Sequence, residues 1–228
     1  MGRLDIYLVE LGLIPTRSRA KRAILYGLIQ VNGKTIKKPA YSVKKKDKIE
    51  VISEIATKPV GYWKLHVINN LFKIEIFNSK ATVLDLGSSA GGFLEFAATH
   101  CKRVFGVEIS NKFTPILYQL KKQYTNISIL ISDVYMLDSE KNLKIDQVDI
   151  ILNDLTLEPI ESTKILLKFL PLLKKRGYII MSIKQGKYSL NKCKIFIENS
   201  LIKADLNILK ILDIDPDKKE LHIIAQKQ

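Results

Sequence analysis

The sequence predicts an α/β fold: a largely parallel sheet with helices on both faces, finished by an antiparallel strand pair and preceded by a small, basic α+β domain. Three observations carry that expectation. Beyond residue 62, short runs rich in Val, Ile and Leu alternate with helical segments, as strands buried on both faces do. The last two runs, "LNILKILDI" and "ELHIIAQ", are joined by the short "DPDKK" turn, which fits an antiparallel pair. Residues 1 to 50 hold 12 Lys and Arg against four Asp and Glu, whereas the other 178 hold 25 against 19.

Taken in order, the apolar residues from Leu4 to Leu11 recur at helical spacing and stop at Gly12. A second short helix is expected from a cap at Thr16 to Ser18 as far as Gly27, with Arg17, Arg19, Lys21 and Arg22 on its exposed face. "LIQVNGKTI" reads as a hairpin around Asn32-Gly33, a pair suited to the two positive φ angles of a type I′ turn. It adds Lys34, Lys37 and Lys38, and "YSVKKKDKIEV" closes the domain at about residue 52. Residues 53 to 61, with Pro59 and Gly61, read as a linker, and residues 62 to 228 as the second domain. Within it, "YWKLHVINNLF" is expected as a helix, "TVLDLG" as a strand and "GGFLEFAATH" as a helix. "RVFGVEIS", "ISILISD", "QVDIILNDL" and "YIIMSIK" are expected as strands, with helices in "FTPILYQLKKQY", in "STKILLKFLPLLKKRG" as far as Gly177, and near 190 to 203.

The net charge of +14 makes a polyanion the expected partner, nucleic acid first and an anionic membrane surface second. No apolar run approaches the roughly 18 residues that span a bilayer, and acids interrupt the apolar N-terminus, so a cytoplasmic protein without a membrane partner is expected. Cys101 and Cys193 stand apart with no ligand spacing around them, which indicates neither a disulfide framework nor a metal site.

Residues 1 to 51, through Arg3-Leu4-Asp5, "SRAKRAI", "GLIQVNG" and "DKIEV", resemble the small RNA-binding module of a small-subunit ribosomal protein, the S-four-like domain. The resemblance implies that Arg3, Arg17, Arg19, Lys21, Arg22, Lys34, Lys37 and Lys38 meet RNA.

"VLDLGSSAGGF" places an acid and a glycine-rich turn between the first strand of the second domain and the helix that follows. In a doubly wound sheet this turn is where backbone approaches a ligand most closely. Asp85, Gly87, Ser88, Ser89, Gly91, Gly92 and Phe93 are the candidate cofactor residues here. Glu108 and Ile109 end the next strand, where a carboxylate can accept from a ribose diol. Asp133 follows the third and Asp154 the fourth. Two cofactors compete. NAD requires G-x-G-x-x-G with pyrophosphate on the helix N-terminus, but this chain has G-x-x-x-G-G with Asp85 ahead of it, and a carboxylate there repels pyrophosphate. S-adenosylmethionine, with its sulfonium and ammonium, suits the acids better.

After the fourth strand, "NDLTLEP" lacks the Pro-Pro-aromatic turn that holds a base amine, and neither cysteine is placed to attack pyrimidine carbon. The domain resembles the FtsJ-like methyltransferases, and the whole chain the TlyA-type, haemolysin-like ribosomal RNA 2′-O-methyltransferases. That resemblance implies a Rossmann-like class I methyltransferase sheet and a Lys-Asp-Lys-Glu set, matched by Lys64 in "GYWKL", Asp154 in "NDLT", Lys184 in "SIKQG" and Glu220 in "KKELHII". Two departures stand out: "KPVG" replaces the Ser-Arg-Gly segment usual before the first lysine, and Ser182 occupies the slot of the second lysine in the narrower FtsJ pattern. A ribose hydroxyl attacks only as its proton leaves, so Lys184 is expected as base, Lys64 as its cationic neighbour, and Asp154 and Glu220 as orienting carboxylates, with no metal required. A noncatalytic RNA-binding or ribosome-assembly factor and a membrane-active haemolysin are the alternative readings.

Overall fold

The computed structural model describes residues 2–52, 57–72, 74–137, 145–187, 189–215 and 218–228. The chain folds as two compact units, Met1–Val67 and Ile68–Gln228. Residues 53–56 of the expected linker lie outside the described residues, as do 216–217 of the "DPDKK" turn. The end of that linker, Val60 and Gly61, opens helix α3 (Val60–Phe72), and the division between the units falls inside this helix.

In the first unit, β1 (Gly2–Arg3) leads into α1 (Leu4–Glu10) and α2 (Arg17–Leu25), followed by β2 (Ile29–Val31), β3 (Lys34–Thr35), β4 (Ser42–Val43) and β5 (Ile49–Val51). The Thr16 side chain caps α2 by accepting from the Arg19 amide, which satisfies one of the free N–H groups of the first turn. Between β2 and β3, Asn32 and Gly33 take φ of 52° and 74°, the two positive values a type I′ turn needs. The Asn32 carboxamide reaches across to Asp47 and to the Lys48 amide, fastening the hairpin to the loop before β5. The three strands pair in the order β3-β2-β5, all antiparallel. The sequence did not announce the short β1–β4 pairing, which joins Gly2 to Val43 and Arg3 to Ser42.

The second unit is built on a seven-stranded sheet: β6 (Thr82–Leu86), β7 (Arg103–Glu108), β8 (Ile127–Ile131), β9 (Val148–Asn153), β10 (Leu173–Lys184), β11 (Leu206–Leu212) and β12 (Glu220–Lys227). Their order is β11-β12-β10-β9-β6-β7-β8. Strands β6 to β10 are parallel, and β12 inserts antiparallel between β10 and β11. Helices α4 (Gly92–His100), α5 (Thr114–Gln123), α6 (Pro159–Phe169) and α7 (Leu190–Lys203) cross between the strands. The core runs through Leu84, Leu86, Ile151, Leu166, Phe169, Ile179 and Met181, all fully buried. A fully buried Leu, Ile or Phe contributes about 1.5–3 kcal/mol of hydrophobic stabilisation.

One element departs from expectation. The helix foreseen as far as Gly177 stops at Phe169, passes through a 3-10 turn at Leu170–Leu172 and becomes strand at Leu173. Pro171 explains the stop, because it has no N–H to donate and its ring collides with the carbonyl one turn back.

Strand β6 lies at the switch point, with β7 on one side and β9 on the other. The crossovers leave in opposite directions there, which opens a crevice beyond the strands' carboxyl ends.

Candidate active site and RNA-facing surface

A cavity of about 310 Å³ fills that crevice, within the usual range for a small-molecule site. Its walls come from four strand ends: Gly87 and Ser89 after β6, Val107 to Ile109 at β7, Asp133 to Tyr135 after β8, and Asp154 to Leu157 after β9, with Phe113 closing one side. Of the candidate cofactor residues, Gly87, Ser89, Glu108, Ile109, Asp133 and Asp154 line it.

The Glu108 side chain, almost fully buried, is fixed by two backbone amides, Ser89 at 2.7 Å and Ser110 at 2.8 Å. Asp133 accepts from the Tyr135 amide at 2.9 Å, which turns the chain after β8. Lys168 on α6 donates to the carbonyls of Val134 and Tyr135, pinning the same wall from behind. Gly87 is needed for space as well as conformation: its φ is 84°, and a Cβ there would lie 2.9 Å from the Leu155 side chain.

Asp85 is wholly buried beneath this loop, and neither carboxylate oxygen has a hydrogen-bond partner among the described residues. The Ser88 hydroxyl points instead to the Asp85 backbone carbonyl. Burial first, and after it the charges of Asp154 and Glu108, push the Asp85 carboxyl up to about 7 against the opposing pull of the nearby Ser88 hydroxyl. An acid left unpaired among acids fits a cationic ligand and disfavours a pyrophosphate.

Asp85, Ser88, Gly91, Gly92 and Phe93 do not line the cavity. At Gly91 a Cβ would sit 2.1 Å from Leu120 and 3.3 Å from Leu117, so this glycine's close approach is to α5. Its φ of 80° starts helix α4, whose residues Gly92 to Ala98 are buried. The second half of the motif therefore docks a helix, while the first half faces the cavity.

Lys184 ends β10, and its Nζ bridges to Asp154, 2.8 Å from Oδ1 and 3.0 Å from the backbone carbonyl. Glu220 opens β12 directly opposite Lys184 in the strand register and is buried. The second unit thus gathers Asp154, Lys184 and Glu220 at the cavity end of the sheet. Lys64 belongs to the first unit's part of α3 and is buried. Two residues back along β10 and β12, Ser182 and His222 form a second cross-strand pair, buried, with Oγ and Nδ1 3.1 Å apart.

Sequence reasoning missed Asn153, the fully buried last residue of β9. Its carboxamide donates to the Ser162 carbonyl, and its oxygen accepts from the Ser162 hydroxyl and the Leu155 amide. That ties the "NDLT" segment to α6. A polar side chain closing an apolar strand was the available signal.

In the first unit, several of the expected RNA contacts have structural partners. The buried Asp5 carboxylate accepts from Arg3 and Arg17, each at 2.9 Å, and these pairs hold it below its ordinary range against the opposing effect of burial. Arg19 lies over the Trp63 ring at 4.5 Å and donates to the Lys58 carbonyl at 2.8 Å. Lys34, Lys37 and Lys38 stand exposed around the hairpin, and Lys21 and Arg22 are partly exposed on α2.

Among the described residues no group of His, Cys, Asp and Glu is arranged to hold a metal, and no helix is long and apolar enough to cross a membrane. Both cysteines are free and buried.

Comparison with known proteins matches residues 2–49 to the S4 domain and residues 60–212 to the FtsJ-like methyltransferases. Hemolysin A of Brachyspira hyodysenteriae is 30% identical over 156 residues, 68% of this chain and 62% of that protein. The Bacillus subtilis protein named "Putative rRNA methyltransferase YqxC" is 31% identical over 111 residues, 47% of this chain and 38% of that protein. In both cases the match spans less than two thirds of the relative's length. Aeropyrum pernix fibrillarin, solved with S-adenosyl-L-methionine bound, shares the fold with a TM-score of 0.62 at 19% identity, over 72% of this chain and 75% of that one. The cavity, with Glu108, Asp133 and Asp154 in its wall and the unpaired Asp85 buried beneath the adjoining loop, fits a cationic ligand. With an S4 domain in front and the switch-point cavity behind, the chain belongs to the FtsJ-like methyltransferase family.

Proposed function

We propose that this protein is an RNA 2′-O-ribose methyltransferase acting on ribosomal RNA, with Lys184 as the general base. The observation that carries the reading is the Lys184–Asp154 pair at the lip of the cavity, since it sets an amine at the carboxyl end of β10 rather than a base-stacking turn or a thiol. Both cysteines are buried, and burial pushes the Cys101 thiol up to about 12, which argues against a cysteine-dependent attack on a pyrimidine.

S-adenosylmethionine supplies an electrophilic methyl group on a sulfonium that leaves as a neutral thioether. The chain's own residues do the rest. With Lys184 as the neutral amine, its Nζ would take the proton of the 2′-hydroxyl as that oxygen becomes the nucleophile toward the methyl group, whose bond to sulfur would break. Asp154 orients the amine through two contacts, and Asn153 holds the segment that carries Asp154. We assign Glu220 as a second orienting carboxylate, and to Lys64 the role that its match to the family's first lysine implies. The exposed lysines of the S4 domain hold the RNA by its phosphates, positioning a ribose without reading sequence. The name carried by YqxC supports ribosomal RNA as the target.

Mapping alkali-resistant linkages in ribosomal RNA from cells with and without the gene tests this. The reading expects at least one 2′-O-methyl mark to vanish with the gene. An unchanged ribose map would leave a noncatalytic RNA-binding factor in its place.

A further inference from the structure

The opposite end of the sheet holds a second cleft, of about 270 Å³, at the amino ends of β6 and β10. Lys80, Lys175 and Arg176 line it and form no ion pair among the described residues. Two acids also line it. Asp149 is neutralised from within, by the Lys174 ammonium at 2.8 Å and the Thr82 amide at 2.8 Å, and Glu75 is exposed. The exposed Lys102 and Arg103 lie beside the cleft in the chain path, both their backbone amides donating to the carbonyl of Ala81 in its wall.

The cationic loop is built rather than incidental. Between Leu173 and Tyr178 the register of β10 against β9 shifts, and the chain bulges through Lys174-Lys175-Arg176-Gly177. Arg176 takes φ of 63°, a left-handed conformation that a residue with a Cβ adopts uncommonly. Gln226 holds it there by donating to the Arg176 carbonyl at 2.9 Å, and the Lys227 ammonium ties down the carbonyls of Leu170 and Leu173. Backbone strain that the surroundings maintain points to use.

We propose that this cleft is a second RNA-backbone site, contacting phosphodiesters at the end of the sheet opposite the cofactor cavity. The proposal rests on RNA being the substrate. Cations that form no ion pair among the described residues draw a polyanion, and a polyanion that also reaches the cavity at the other strand ends, about 17–20 Å away, has to be a macromolecule. The site binds phosphate without sequence preference and adds to the S4 contacts in orienting the substrate.

The test compares the full chain with a Lys80→Gln/Lys175→Gln/Arg176→Gly variant, glycine being free to keep the positive φ. A control, Lys121→Gln/Lys122→Gln/Lys203→Gln, removes the same charge from exposed helix positions. Binding of a fluorescein-labelled ribosomal RNA hairpin is followed by anisotropy across a salt series, with S-adenosylmethionine titrated separately. Loss of the cleft cations is expected to weaken RNA about tenfold at 0.1 M salt and to flatten the log–log salt slope by about 2, leaving cofactor affinity unchanged. The control should lose at most about twofold, the change expected from net charge alone. Equal losses in variant and control, or no loss in either, overturn the site while leaving the RNA reading intact. If the wild-type chain binds no RNA, that reading and this one fall together. Should inorganic phosphate raise the melting temperature of wild type but not of the variant, with RNA affinity equal in both, the cleft takes a free anion and the RNA assignment is wrong.

Discussion

At the carboxyl ends of its strands the sheet gathers Glu108, Asp133 and Asp154 around one cavity, with Asp85 buried beneath its loop, whereas at the amino ends Lys80, Lys175 and Arg176 line another. The acidic end is buried at Asp85 and Glu108 and half-buried at Asp133 and Asp154, and its carboxylates are mostly committed to backbone amides or to Lys184, as suits a site for one small cation. The basic end is exposed and its cations at Lys80, Lys175 and Arg176 form no ion pair among the described residues, which suits a long, variable anion. The same contrast separates the two halves of the glycine motif. Gly87 keeps a wall of the cavity thin, while Gly91 lets α5 approach.

The largest effect is expected at the acidic end. Lys184→Ala should cut single-turnover methyl transfer by about a hundred- to ten-thousand-fold while RNA and cofactor affinities stay put, because a general base contributes to rate and not to ground-state binding. Lys184→Arg should not rescue, since a guanidinium does not give up its proton. Wild-type rates in Lys184→Ala would move the base elsewhere, with Lys64 the next choice.

Next comes the pH dependence of Asp85. Its folded value of about 7 lies above the ordinary carboxylate value, so the empty protein loses stability as pH rises from about 4 through 7, by on the order of 4 kcal/mol, and is most stable when the group is protonated. A bound cation reverses the preference. Calorimetry between pH 6 and 8 should therefore show S-adenosylmethionine binding more tightly as pH rises, with proton release below pH 7. Asp85→Asn should abolish both trends, and a flat profile in the wild type would remove Asp85 from cofactor binding.

A smaller effect separates the glycines. Gly91→Ala should destabilise the chain by about 1–3 kcal/mol through overpacking against Leu120, and Leu120→Ala should recover part of that loss. Urea titrations of the single and double variants measure it. Failure of the double variant to recover any of the loss would place its cause in the positive φ of Gly91 and not in the contact with Leu120.

Smallest is the exposed hairpin of the S4 domain, where Lys37→Gln with Lys38→Gln should weaken RNA binding a few-fold and reduce its salt slope by about 1 to 2. Arg19→Gln, by contrast, should show as lost thermal stability, since Arg19 covers Trp63.

Much of this was legible before any coordinates. The Asn32-Gly33 turn, the Thr16 cap and the antiparallel β11–β12 pair follow from local chemistry that tertiary context does not override. Pro171 was visible too, but the apolar periodicity running past it masked the end of α6. The pairing of Arg3 and Arg17 with Asp5 could not be read from charge counts, because sequence position does not tell a solvated arginine from one that neutralises a buried acid. Nor could the basic cleft, whose cations come from residue 80 and residues 175–176 and meet only through the sheet's strand order.

The most direct measurement incubates the full chain with methyl-labelled S-adenosylmethionine and ribosomal RNA, digests the RNA to nucleosides and locates the label. The account predicts label in a 2′-O-methylated ribose, absent when Lys184→Ala replaces the wild type. Label on a base, or equal ribose labelling by Lys184→Ala, would contradict it.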